Sequence, residues 1–245
     1  MTTPLPPPET PWRDLGAALQ ARGFAAIGPQ ALCELAGVEL PALQALAPAW
    51  DDLPPDAYLR DGGRYRRRRH ACCIVDGDTV QPVPHRAHWQ PLEYNALHGG
   101  LQRWFEPVSP AVLAQTAWKR LLVALAALCS ARKGAQPWFV EAHQFRIDTT
   151  DCIGRPTPEG AHRDGVDFVA VLLVARVGVK GGETRVFEAD GPAGLRFTMT
   201  QAWTTLLLDD ERVIHESTPI QPLATPAHRD TLVLTFRSRG FQGPG

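Results

Sequence analysis

Apolar and polar positions alternate with different periods on either side of residue 138. Before it, apolar residues recur every three or four positions, the spacing of one helix face. Leu15, Ala18 and Leu19 predict a helix over 14–22 that stops at Gly23, and 31–46 predicts a second, closed by the proline-rich run APAWDDLPP. The strongest such pattern covers 110–132, where Val112, Leu113, Trp118, Leu121, Leu122, Leu125 and Leu128 share a face and Gly134 ends it. Residues 64–75 between them are extended, followed by a loop with Pro82 and Pro84. After 138 the period shortens. β-rich runs at 138–147, 168–177, 184–188, 202–208, 212–216 and 231–237 are separated by turn signals such as VKGGE, EADGPAG and LDDER. Helices first and many short strands afterwards predict an α+β fold with a mainly β core, the N-terminal and central helices buttressing a sandwich or barrel.

Composition narrows this picture. The 245 residues suffice for one large domain, and Gly 21 with Pro 23 exceed the roughly 12% of average usage, in keeping with a turn-rich fold. Residues 1–11 read as a flexible Pro-rich lead and 12–245 as a single domain, helical over about 12–60 and β-rich over about 138–240. A net charge of −1 offers no broad basic field for nucleic acid. Five cysteines without CxxC spacing make neither a zinc finger nor a disulfide framework. The start, MTTPLPPPETPW, lacks the basic and apolar regions of a secretory leader, and the apolar stretches 121–129 and 168–175 are too short to span a bilayer. A soluble, cytoplasmic protein is the expectation.

The chemistry begins at Ala161-His162-Arg163-Asp164-Gly165. In an extended segment His162 and Asp164 share a face, setting an imidazole beside a carboxylate. His215, in the β-like run Arg212-Val213-Ile214-His215-Glu216, is the third ligand type. Two histidines and one carboxylate on one side of a metal leave positions open opposite, as non-haem Fe(II) oxygenases require. Spacing alone decides little: with 8 His and 26 acidic residues, about one His-x-acid pair is expected by chance, and His228-Arg229-Asp230 is a second. Nor is His162-Arg163-Asp164 a kinase catalytic loop, because its Leu, its downstream Asn and a glycine-rich loop are all missing.

The order of the flanking segments is more telling. After the His-x-Asp pair come Gly181-Gly182-Glu183-Thr184, then His215 with Thr218-Pro219, then Arg229-Asp230-Thr231-Leu232 running on to Thr235-Phe236. Upstream lie Ala142-His143-Gln144-Phe145-Arg146, and Glu93-Tyr94-Asn95 with Gly99-Gly100 and Arg103. From about residue 60 to 237 this series resembles the bacterial 2-oxoglutarate-Fe(II) dioxygenase family that contains the free L-isoleucine hydroxylases and proteins named for biofilm, stress and motility traits. The resemblance implies a double-stranded β-helix, or jelly-roll, with Fe(II) held by His162, Asp164 and His215. It also implies 2-oxoglutarate as cosubstrate, O₂ as oxidant and a free amino acid or similar small acid as substrate. For the far carboxylate of 2-oxoglutarate, Arg229 with Thr231 two residues on is the expected grip, since a guanidinium can make two parallel hydrogen bonds and the hydroxyl a third. Its neighbours His228 and Asp230 should then point away. Gln144 and Arg146, two apart on a strand, are candidate contacts for 2-oxoglutarate and for a substrate carboxylate, with His143, Phe145 and Ile147 on the opposite face. Tyr94 and Asn95 are further candidate substrate contacts.

The basic run from Arg64 to His70 admits two readings. It could be a phosphate patch, but a strand would split it between two faces. The resemblance places part of it at the active-site mouth, where Arg66 or Arg68 would bind a substrate carboxylate. Two other functions stay open on the sequence: a 2-oxoglutarate-independent, cupin-like metal protein, and a domain that binds metal or metabolite without turnover.

Overall fold

The computed structural model describes residues 4–244. Glycines punctuate its helical part. Helix α1 (Leu15–Arg22) and helix α2 (Pro29–Ala36) end at Gly23 and Gly37, whose φ values of 76° and 62° lie in the left-handed region that a residue without a Cβ enters freely. Strand β1 (Phe24–Ile27) separates the two helices. The single helix expected over 31–46 is therefore two: Gly37 breaks it, and Pro41 sits in the first turn of α3 (Leu40–Gln44). The long apolar pattern over 110–132 is likewise divided into α4 (Pro110–Leu113) and α5 (Thr116–Lys133) by an extended Gln115.

The remaining strands are β2 (Arg66–Asp76), β3 (Thr79–Pro82), β4 (Trp138–Asp148), β5 (Phe168–Val177), β6 (Val179–Gly181), β7 (Thr184–Glu188), β8 (Gly194–Phe197), β9 (Thr205–Asp209), β10 (Val213–Ser217), β11 (Ile220–Pro222) and β12 (His228–Arg237). Seven form one antiparallel sheet in the order β1-β9-β5-β12-β4-β2-β3. A three-stranded sheet, β10-β7-β8, and the pair β11-β6 make the opposing side. Bridges from Gly154 to Ile220 and from His162 to His215 tie the 154–162 segment onto that side. The expected jelly-roll is present, with a cavity lined by residues of both sides. Sequence periodicity missed β1, β3, β6, β8 and β11, which are three or four residues long and carry too few positions to show a period.

The two larger of three apolar clusters follow from strand alternation, the third being a small one of Tyr65, Ile147, Val179 and Ile220. The outer face of the large sheet (Val140, Ala142, Leu172, Leu232, Leu234, Phe236) packs on the helices through Leu19, Leu32, Trp118, Leu121 and Leu125. Burying each such large side chain contributes about 1.5–3 kcal/mol. Between the sheets, Val169, Leu173, Val186, Phe197, Leu206 and Val213 close one end of the barrel. Trp50 links the helical layer to the site, its Nε1–H donating to the Thr231 carbonyl at 3.1 Å.

The lead over 1–11, expected to be flexible, is docked where it is described: the Leu5 carbonyl accepts from Thr198 N–H (2.8 Å), and Thr10 N–H donates to the Ala26 carbonyl (2.7 Å). Its prolines suit this extended path, which needs few backbone donors. Residues 1–3 lie outside the described residues. Among the described residues, no helix is long and apolar enough to cross a membrane.

Candidate active site

His162, Asp164 and His215 converge, their nearest ligand atoms all within 4.8 Å of one another. The Asp164 carboxylate lies between the rings: Oδ1 is 3.8 Å from His162 Nε2 and Oδ2 is 3.8 Å from His215 Nε2. The backbone sets this up. His162 and His215 are antiparallel bridge partners, with N–H to O distances of 3.1 and 3.0 Å. His162 Nδ1 is 2.9 Å from the Gly160 carbonyl, to which it donates, so the Nε2 lone pair faces Asp164. Burial disfavours the charged form of both imidazoles. For His162 the Asp164 and Glu159 carboxylates outweigh burial and raise its pKa. His215 has no such support, and burial with the neighbouring His162 holds its pKa well down, leaving it neutral as a metal ligand must be.

Asp210 holds the His-x-Asp turn in place. Its Oδ1 accepts from Asp164 N–H (3.0 Å), and its Oδ2 accepts from Gly165 N–H (2.8 Å) and Val166 N–H (3.1 Å). Burial and the Asp164 charge push its carboxyl up to about 7, against the pull of those three donors. Gly165 itself has φ +72, and a Cβ there would lie 2.3 Å from the Tyr94 ring. Asp210→Ala frees this turn and is expected to weaken iron(II) binding about 10–100-fold, measured by anaerobic titration of folded protein. Asp210 gave no sequence signal beyond its place in a turn-like LDDER run.

Arg229 and Thr231 both line the cavity. Arg229 is buried, and its Nε and Nη2 have no hydrogen-bond partner. An orphaned buried guanidinium costs free energy unless a ligand completes it, so this cradle fits an incoming carboxylate. His228 and Asp230 fall on the other face, where Asp230 binds Arg146 through both carboxylate oxygens at 2.8 Å.

That pairing corrects the expected contacts on β4. Arg229 is registered with Ile147, and Asp230 with Arg146. Cross-strand partners share a face, so Ile147, Phe145 and His143 line the cavity while Gln144 and Arg146 point away from it. Arg146 is engaged by Asp230 and by Asp51 (3.0 Å), and Gln144 is fully buried on the opposite face. Tyr94 is also corrected: its ring packs on Gly165, outside the cavity lining. Asn95 does line the cavity, although its side chain is engaged, donating to Gln90 Oε1 (3.1 Å) and accepting from His98 N–H (2.8 Å).

Arg66 and Arg68 face inward and are buried. Arg66 Nε donates to Asp56 Oδ2 at 2.7 Å, and the Arg68 guanidinium lies over the rings of Phe105 (3.7 Å) and Phe145 (4.4 Å). Arg64, Arg67 and Arg69 have acidic partners of their own in Asp151, Asp148 and Asp52. The basic run is thus divided between cavity and outer face and is no continuous phosphate patch. Arg103, His88, Glu141 and Gln90 complete the wall. Gln90 Nε2 donates to Asp164 Oδ1 (3.2 Å), while its Oε1 accepts from Arg103 Nη2 (2.9 Å) and from Asn95. Two donors on the amide oxygen fix which end of Gln90 meets the metal-site carboxylate. Of these, only Arg103 lay in a segment that the sequence singled out; His88, Glu141 and Gln90 carry no local motif, because loop and strand bring them together from distant positions.

Comparison with known proteins agrees with this geometry. A family model described as 2OG-Fe dioxygenase matches residues 47–235. The crystal structure of a bsmA homolog from Methylobium petroleophilum is 54% identical over 97% of both chains, with a TM-score of 0.91. The structure of IDO from Bacillus thuringiensis shares the fold at 16% identity, covering 93% of this chain and 99% of the other, with a TM-score of 0.76. So does the Fe(II)/α-ketoglutarate-dependent dioxygenase TqaL, at 19% identity, 95% and 88% coverage and a TM-score of 0.70. No sequence among the curated proteins matches the chain.

Proposed function

The chain belongs to the 2OG-Fe dioxygenase family, and from that premise we propose that it hydroxylates a free L-amino acid or a closely similar small acid. Dependence on Fe(II) and 2-oxoglutarate follows from the family, and the donor set fits both. In this reading His162, Asp164 and His215 hold the iron, and Arg229 with Thr231 receives the far carboxylate of 2-oxoglutarate. When bound, the pair supplies O₂ activation, with 2-oxoglutarate converted to succinate and CO₂.

The observation that carries the substrate class is a second set of buried guanidinium groups in the same cavity. Arg66, Arg68 and Arg103 line it alongside the triad, and Arg66 Nη2, Arg68 Nε and Arg103 Nε lack hydrogen-bond partners. Arg229 answers the cosubstrate, so these groups are left for a carboxylate of the substrate. The cavity, about 120 Å³, suits a small molecule better than a polymer. The chain's own work is to orient that acid and keep water out. Val166, Val171, Val233 and Phe145 give an apolar wall that contributes no competing donor or acceptor.

The test is aerobic turnover of iron-loaded protein with 2-oxoglutarate and a panel of the free L-amino acids, scored by succinate and by a product 16 Da heavier. At least one amino acid should raise succinate well above the substrate-free rate with matching hydroxylated product. Uniform background succinate across the panel would overturn the amino-acid reading.

A further inference from the structure

We propose that Glu141 and His88 form a subsite for the primary ammonium group of the substrate, built as a carboxylate at the cavity wall inside a shell of imidazoles. The proposal deepens the amino-acid reading above and rests on it.

Glu141 and His143 on β4, His70 on β2 and His88 in the loop after β3 meet at the cavity wall, all buried. One carboxylate oxygen does the joining. Glu141 Oε2 is 2.9 Å from His70 Nε2 and 2.7 Å from His88 Nδ1, with His143 Nε2 at 3.8 Å. Arg68 fixes the remaining proton: its Nη2–H donates to His143 Nδ1 at 2.7 Å, so His143 carries its own proton on Nε2, on the side of Glu141. Three imidazole N–H groups therefore surround Oε2.

The protonation states follow from the same surroundings. Burial lowers the pKa of His70, His88 and His143, with His88 brought to about 4, so all three are neutral at physiological pH. Glu141 is also buried, which alone would raise its pKa, but the hydrogen bonds it accepts from His88 and His70 hold it well below the usual carboxylate range. The cluster carries one negative charge.

Two acceptors face the cavity. Among the described residues, Glu141 Oε1 and His88 Nε2 have no hydrogen-bond partner and both residues line the cavity, whereas the unpartnered Nδ1 of His70 belongs to a residue outside that lining. No lysine or arginine nitrogen among the described residues lies within ion-pair distance of Glu141. A carboxylate held at a cavity wall, with one oxygen turned to the cavity and no cation beside it, favours a ligand that brings both positive charge and N–H donors. A primary ammonium supplies both, and Arg66, Arg68 and Arg103 line the same cavity, where a carboxylate of the same molecule would meet them.

The same four residues could be taken for a second divalent-metal site, since their ligand atoms lie within 4.8 Å. The proton positions oppose that. To ligate a metal through Nε2, His143 would have to move its proton to Nδ1, where the Arg68 N–H already points.

The experiment compares, on wild-type protein loaded anaerobically with Fe(II) and 2-oxoglutarate, free L-amino acids with 2-hydroxy acids of the same side chains. Binding is read from the visible charge-transfer band of the bound 2-oxo acid. The amine should be preferred by at least about 100-fold, because the hydroxyl can donate a single hydrogen bond but leaves the carboxylate's charge uncompensated. In Glu141→Gln the preference should fall to within about threefold, with half-saturation by 2-oxoglutarate unchanged. Equal binding of amino and hydroxy acids by the wild type overturns the subsite alone. A panel in which no amino acid perturbs the band overturns the substrate reading and the subsite with it. One zinc(II) equivalent retained by untagged His215→Ala protein would overturn it in favour of a metal site.

Discussion

His215→Ala is expected to reduce succinate formation by at least about 10³-fold, well beyond the roughly 10–100-fold that changes outside the ligand set cost. The reason is positional. His215 is the triad's one contribution from β10, and its neutral ring is the donor least able to be replaced by water in a buried site. Its backbone bonds to His162 do not depend on the side chain, so the bridge between the two segments should survive the substitution. The measurement is anaerobic iron(II) titration followed by 2-oxoglutarate, with circular dichroism as the control for folding. Loss of the charge-transfer band with an unchanged fold is the expected result. Wild-type-like succinate formation in this variant would remove His215 from the metal site.

Arg229→Ala is expected to raise the 2-oxoglutarate requirement with a smaller effect on iron binding. Truncating one partner of a buried, hydrogen-bonded charge pair costs about 2–5 kcal/mol, which is roughly 30- to 4,000-fold in affinity. Arg229→Lys should fall between, since it keeps the charge and loses the planar fork. Thermal unfolding separates this role from a structural one. Without ligand, Arg229 is a buried cation with two unpartnered nitrogens, brought to a pKa of about 10 by burial and by the nearby Arg176. Removing it should leave the melting temperature of the ligand-free protein unchanged or higher. At a fixed 2-oxoglutarate concentration that saturates the wild type, the wild type should be stabilised more than the variant, because the shift in unfolding scales with binding to the native state. A variant with normal 2-oxoglutarate dependence would move the cosubstrate's carboxylate to another residue.

Arg66, Arg68, Arg103 and Arg229 are all buried at one cavity, an arrangement that burial alone would not favour. Cationic groups left without partners are costly in a stable fold and useful in a receptor for anions. Asp56 offsets part of that cost by pairing with Arg66 and lying 3.9 Å from Arg68. In the proposed reading, the residual unpaired donors are where the carboxylates of cosubstrate and substrate would bind.

What the sequence determined by itself is what local physics controls. Gly23 stops its helix because a left-handed residue is needed there, whereas the break at Gly37 inside the expected 31–46 helix emerged only in the structure. The two-residue alternation around Arg229 separates Thr231 from Asp230 without any knowledge of the fold. The order of His162, Asp164, His215 and Arg229 along the chain was legible because each lies in a short run of characteristic neighbours. Tertiary structure decided which face of each strand looks inward. Alternation shows that Gln144 and His143 point opposite ways, but only the registers of Ile147 with Arg229 and of Arg146 with Asp230 show which of them meets the cavity. A one-residue change of register would reverse every side chain on β4. The same holds for Glu141, His88, His70 and Asp210. Their roles arise from contacts between residues 44 to 71 positions apart, and such pairings leave no period in the sequence to read.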